Sequence, residues 1–445
     1  MPSANTATST AAFEPTPPSS APGTAVGLDS PMSAFASVAN ATNTASAGNA
    51  ENRPATPGSG ATAAVPRLIN PRAFTCRCGR PVFFRNSECL ACHRPLGYAT
   101  ELGMLLPLEA AGEGIWRADG STDDDDGHAA PTYRRCANLK TPAGCNWLLA
   151  NDDGVQDATR VLCRCCRLTR TLPDLSVADH ALWWNRIELA KRRLVSSLIG
   201  LALPVLSKEE DPMRGLAFDL LRGTPGGPGV VTGHEDGVVT LDVEEAEDAW
   251  REQRRTQLRE PYRTLLGHLR HETGHYYWQR LVDRTAWMEP FRSSFGDERQ
   301  NYSAALAQHY RNGAPADWNS RYVSAYASSH PWEDWAETWA HYLHMRDTLD
   351  TARSFGLDGE RVELSYERFD SATPGMGQHP ADFLSLINSW MELTGVLNEL
   401  SRSIGVADFY PFVLSEPAVA KLHLVHRVVM SAAASASATA PTGLA

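Results

Sequence analysis

Eight of the nine cysteines fall into two groups of four, and no other feature limits the fold of this 445-residue chain so strongly. The first group is Cys76-x-Cys78, ten residues, then Cys89-x-x-Cys92. The second is Cys136, eight residues, Cys145, seventeen residues, then Cys163-x-x-Cys166. Close cysteine pairs brought together by a hairpin place four thiolates in a tetrahedron, a structural zinc site with no position left for a substrate. Gly79 and Pro81 suit the tight turn after the first pair. Cys165 competes with its neighbours inside the last pair, but the two-residue gap favours Cys163 and Cys166. The plainer alternative for each group is a set of buried free thiols. No charged start and apolar block opens the chain, so the cysteines point to a reducing compartment, the cytoplasm, where such clusters bind metal.

Composition divides the chain. Residues 1–66 are Ala, Ser, Thr, Pro and Gly, with Glu14, Asp29, Glu51 and Arg53 the only charges in the first 60 positions. Such a segment cannot bury enough surface to offset its ordering entropy and reads as a disordered tail, as does 431–445. Asp123 to Asp126 form a solvated acidic loop without the spacing of a calcium site. A helix is expected from an N-cap at Ser176 to about Leu203, ended by Pro204. Strands follow at Leu216–Leu221, Val230–His234 and Val238–Val243, the last two joined by an Asp236-Gly237 hairpin turn. Helical patterns then run from Glu244 almost to the end, broken at Asn312–Pro315 and Pro374–Pro380. Net charge is −11, against a surface that grips nucleic acid throughout. Residues 67–100 nonetheless carry six Arg against one Glu, which suits a macromolecular partner, nucleic acid included, or a merely solvated face. No apolar run is long enough to cross a membrane.

The chemistry concentrates in His271-Glu272-Thr273-Gly274-His275. Histidines at i and i+4 share one helix face and can bind one zinc, with Glu272 beside the open coordination position as general base. Leu265, Leu266 and Leu269 define a buried face ahead of it. A third ligand is expected from a second helix opening at Pro331, where Glu333, Glu337, His341 and His344 form one polar stripe among Trp332, Trp335, Trp339 and Tyr342. Glu333 is favoured, leaving Glu337 to orient a ligating imidazole; Glu337 and Asp334 compete for the ligand role. His330 is expected to cap this helix. His379 sits in a later loop, and Asp408–Leu414 reads as a packed connection without chemistry.

The pairing of HExxH with a later Glu resembles the gluzincin metallopeptidases. With the two cysteine groups and Ser324-Ala-Tyr-Ala-Ser-Ser-His-Pro-Trp-Glu-Asp-Trp-Ala-Glu337, residues 70–430 more closely resemble a bacterial family of zinc-binding metallopeptidases that joins a zinc-ribbon region to a peptidase domain. A more distant similarity is to the catalytic domain of anthrax lethal factor, whose Glu-aromatic-aromatic-Ala-Glu segment matches Glu333–Glu337 except that Asp334 replaces an aromatic. That resemblance implies that Tyr326, seven residues before Glu333, donates a hydrogen bond to the oxyanion of the tetrahedral intermediate.

The expected architecture is therefore α+β: a zincin-like, mostly helical metallopeptidase domain with a small β-sheet over 176–430, preceded by a zinc-ribbon module with two zinc sites over 67–175. The expected function is peptide-bond hydrolysis by zinc-activated water, with one catalytic and two structural zinc ions and a peptide or protein substrate. The alternatives are a non-catalytic scaffold binding protein or nucleic acid, and a zinc amidase acting on a non-peptide amide.

Overall fold

Phe74–Thr75 (β1) and Pro81–Val82 (β2) pair antiparallel around the first cysteine turn, where Gly79 takes a positive φ of 81°. The computed structural model describes residues 70–121, 130–151, 160–223, 229–258, 264–362, 364–377 and 380–439. The expected N-terminal tail, the Asp123–Asp126 run and His379 lie outside them.

Five antiparallel strands follow in chain order: β3 (Leu96–Ala99), β4 (Met104–Gly112), β5 (Ile115–Ala118), β6 (Thr132–Arg135) and β7 (Leu148–Ala150). Ala99, Leu106, Leu108, Tyr133 and Leu148 pack together on this sheet. Trp147 and Tyr98 carry its edge into the main core, with ring centroids 5.3 Å apart.

A second sheet combines β8 (Thr169–Thr171), β9 (Ala217–Leu221), β10 (Gly233–Glu235) and β11 (Val238–Asp242) in the order β10-β11-β9-β8. β9 is parallel to both neighbours, so the expected ribbon is a four-stranded mixed sheet, and β8 comes from the cysteine-bearing part. Asp236 (φ 47°) and Gly237 (φ 79°) form the expected two-residue turn. β10 starts at Gly233 rather than Val230 because Asp242 gives its N–H to the Thr232 hydroxyl, 3.2 Å away, instead of extending the ladder.

Between β8 and β9 runs α1 (Ala178–Gly200). Its N-cap is Val177, not Ser176: Asp174 takes the Ser176 N–H on its side chain at 3.0 Å and holds the His180 ring through its carbonyl at 2.8 Å. Ile187, Leu194, Val195 and Leu198 form its buried stripe. The remaining helices are α2 (Asp248–Leu258), α3 (Leu265–Leu281), α4 (Met288–Phe295), α5 (Tyr302–Asn312), α6 (Pro331–Ser354), α7 (Ala381–Ser403) and α8 (Glu416–Thr439). α3 packs on α6, α1 and β10, while α8 packs on the other side of α6. α8 includes residues 431–439, expected as tail; alanine, the strongest helix former, carries those turns. No helix among the described residues is long and apolar enough to cross a membrane.

Candidate metal centres

α3 is started by Thr264, whose hydroxyl accepts the Gly267 N–H at 2.9 Å. His271 and His275 sit one turn apart, with ring centroids separated by 5.0 Å. α6 is started by His330, as expected, whose ring nitrogen accepts the Trp332 N–H at 3.1 Å, and Pro331 fills its first turn. The helices cross at Gly274, and the Trp335 indole donates to the Gly274 carbonyl at 3.0 Å. Tyr277 and Trp339 stack beside the crossing at 4.9 Å.

This crossing aims two carboxylates at one imidazole. Glu337 Oε1 is 2.7 Å from His271 Nδ1, and Glu333 Oε2 is 3.0 Å from His271 Nε2. Glu333 Oε1 is also 3.5 Å from His275 Nε2. A neutral imidazole has one N–H and can satisfy only one carboxylate. Burial opposes a charge on His271, yet the flanking carboxylates outweigh it and hold the ring well above its usual range. Burial likewise opposes the Glu333 charge, but His275 and His271 hold that carboxylate far below the normal range. A cation between the two histidines and Glu333 satisfies all three groups. The donor atoms lie within 4.8 Å of one another, and nitrogen and oxygen are ordinary zinc donors.

The polar stripe of α6 divides. Asp334 turns the other way, into a buried pair with Lys421 at 2.6 Å, and so takes no part in the group. Glu337 is occupied by His271 and by the Ser324 hydroxyl at 2.6 Å. His341 meets the Tyr410 hydroxyl at 2.6 Å and His344 packs against Trp390, both away from Glu333. Tyr410 belongs to the segment expected as a packed connection.

Glu272 is buried, and its carboxylate makes no hydrogen bond or ion pair with a described residue. The Tyr326 ring lies 6.0 Å from that of His271. A second tyrosine is closer to the carboxylates: the Tyr302 hydroxyl donates to Glu333 Oε1 at 2.7 Å from the first residue of α5. Sequence reasoning missed Tyr302, because it lies 31 positions before Glu333 and no spacing rule joins them. His234, on β10, has its pKa lowered to about 3 by burial and by His275; its Nε2 accepts the Gly237 N–H at 3.0 Å and so steadies the hairpin.

The cysteines gather in the two expected groups, Cys76/Cys78/Cys89/Cys92 and Cys136/Cys145/Cys163/Cys166. Sulfur separations are 3.6 Å for Cys76–Cys92, 3.7 Å for Cys78–Cys89 and 3.6 Å for Cys145–Cys163. A tetrahedron with zinc–sulfur bonds of about 2.3 Å has edges of about 3.8 Å. A disulfide requires about 2.05 Å, and all nine cysteines are free thiols. In the second group, hydrogen bonds from Cys145, Cys163 and Cys166 drive the Cys136 thiol far below its usual range, while the same pairing pushes Cys145 up. A central cation removes that conflict. Buried Arg192 of α1 stands beside this group, as does Lys191, whose charge is paired with Glu188 at 2.6 Å. Cys165 is buried next to Lys191, outside the group.

Two four-cysteine clusters and a separate His-His-Glu group define a zinc-binding protein with a zinc ribbon toward its N-terminus. Residues 180–428 match the family described as "Putative zinc-binding metallo-peptidase", to which the chain belongs, and residues 73–177 match a zinc-ribbon domain. Uncharacterized proteins of Mycobacterium tuberculosis (strain H37Rv) and Mycobacterium bovis are each 41% identical to it over 360 residues, covering 80% of this chain and 95% of theirs. No solved structure matches the chain.

Proposed function

We propose that the protein is a gluzincin-like, HExxH-type zinc peptidase, with His271, His275 and Glu333 holding one catalytic zinc and the two cysteine groups holding structural ones. The observation that carries this reading is the His271 ring clamped between Glu333 and Glu337. Zinc supplies, when bound, a Lewis acid for the scissile carbonyl and an acidified water. Glu337 fixes the His271 tautomer by accepting the hydrogen bond of its Nδ1–H, so that Nε2 keeps its lone pair for a ligand role. Glu272, one residue on from His271 and free of competing partners, accepts the proton of the attacking water and returns it to the leaving amine. Tyr326 is assigned to the developing oxyanion, supported by its place beside His271. An extended peptide suits the site because β10, at the edge of its sheet, packs against α3 and leaves backbone groups for strand pairing. We place the protein in the cytoplasm, where its free thiols persist.

Glu272→Gln keeps the ligands and removes the base, so it tests the reading directly. The expected result is unchanged zinc content with loss of turnover of a mixed peptide library by at least a hundredfold. Equal turnover by wild type and variant, or none by zinc-loaded wild type, would overturn the proposal.

A further inference from the structure

A cleft of about 570 Å³ opens beside Arg72, lined by the ribbon residues Phe83, Phe84 and Arg85, by Arg193 of α1, and by Phe355 just after α6. Its size is that of a small-ligand site. Cationic donors line it beyond what the protein itself uses. Arg72 is spent inside the protein: it is buried, gives Nε and Nη2 to Asp347 at 3.2 and 3.0 Å and Nη2 to the Ser196 hydroxyl at 3.0 Å, and its Nη1 is enclosed. Arg193 donates Nε to Asp347 at 2.6 Å and Nη2 to Thr351 at 3.0 Å. Arg85 is exposed and makes no hydrogen bond or ion pair with a described residue. Arg192 also borders the cleft, but its guanidinium donates to the Ala143 carbonyl at 3.1 Å beside the second cysteine group.

Aromatic faces stand beside these cations. Phe83 and Phe355 are each 53% exposed and stack on no other ring among the described residues. The backbone that carries Phe83 is fixed. Its N–H is fixed by Asn86 at 2.7 Å, and the buried Asn146 amide ties down the carbonyls of Phe84 and Asn86 at 2.8 Å each. Phe84 lies under Arg72 at 4.8 Å. Guanidiniums in excess suit a phosphate, which offers oxygens to several of them at once, better than a single carboxylate. Exposed ring faces suit a planar aromatic group.

We propose that this cleft binds a mononucleotide, its phosphate on Arg85 and Arg193 and its base against Phe83 and Phe355. The floor of the cleft is shared with the metal helix, because Asp347 also holds Arg270, one residue before His271, at 2.9 Å.

Titration calorimetry on the zinc-loaded full chain tests the site without reference to catalysis, using adenosine monophosphate as the probe. The expected result is one binding event, at least tenfold tighter than that of adenosine or inorganic phosphate alone. Arg85→Gln and Phe355→Ala change exposed side chains, so folding is spared, and each is expected to weaken binding at least fivefold, the lower end of what one stacking ring contributes. No heat at millimolar nucleotide would overturn the proposal. So would binding that both substitutions leave unchanged, or binding of a single-stranded oligonucleotide or an acidic peptide where the mononucleotide fails.

Discussion

A Cβ added to Gly274 would lie 2.9 Å from the Cα of Ala336, a distance side-chain carbons do not tolerate. The missing side chain thus sets how closely α3 and α6 approach, and that approach brings Glu333 and Glu337 to the histidines. Gly274→Ala is expected to force the helices apart, costing about 1–3 kcal/mol as an overpacked core does. The same change is expected to release the metal at His271, while both cysteine groups keep theirs. Denaturant melts and zinc content measured together check both halves.

Zinc per chain separates the three centres. Wild type is expected to carry three ions and His271→Ala/His275→Ala two, by elemental analysis after exhaustive dialysis. An unchanged count would mean that α3 holds no metal, and the scaffold reading would take over.

Glu337 holds His271 and Tyr302 holds Glu333, each at 2.7 Å. Glu337→Gln removes the carboxylate on His271 Nδ1 and is expected to weaken zinc binding at that site ten- to a hundredfold. Tyr302→Phe frees one oxygen of Glu333, and a smaller loss, under tenfold, is expected. Competition against a zinc chelator of known affinity reads both; equal effects would mean that Tyr302 is as important to the ligand set as Glu337.

His426 of α8 makes stability pH-dependent away from any metal. Burial, with Arg346 nearby, lowers its folded value to about 4, and its ring nitrogen accepts the Tyr342 hydroxyl at 3.0 Å. Its ordinary value is about 6.5, so between those limits the unfolded chain binds the extra proton. Stability is therefore complete above about pH 6.5 and is lost as pH falls toward 4, with about 2 kcal/mol gone by pH 5. His426→Asn does not titrate and is expected to show a shallower decline in denaturant midpoint between pH 7 and pH 5. Parallel declines would contradict the assignment.

The two cysteine groups, the histidine pair on α3 and the cap of α6 were legible because each depends on spacing within one short segment. Coordination geometry and helical period translate such spacing directly into position. The five-stranded sheet from Leu96 to Ala150 was not legible: most of its strands are three or four residues long, too short for an alternating pattern to declare itself. Nor was the addition of β8 to the second sheet, since pairing across α1 leaves no local mark. Ser176 is not the cap because its own N–H is tied back to Asp174 in the preceding turn, and the helix begins one residue later. The Ala- and Ser-rich end beyond residue 430 looked like tail by composition, but the same alanines prolong a helix already anchored by its earlier turns.

Because β8 lies before α1 and pairs with β9 after it, the second sheet is closed on one side by a strand from the ribbon half. A fragment beginning at 176 would carry the whole histidine and glutamate constellation and still lack that strand. It would bare the backbone donors and acceptors of β9, a buried apolar strand, along an edge the intact protein never shows to solvent. Open edges of that kind recruit other chains. Attempts to isolate the histidine-bearing half alone should therefore meet aggregation first.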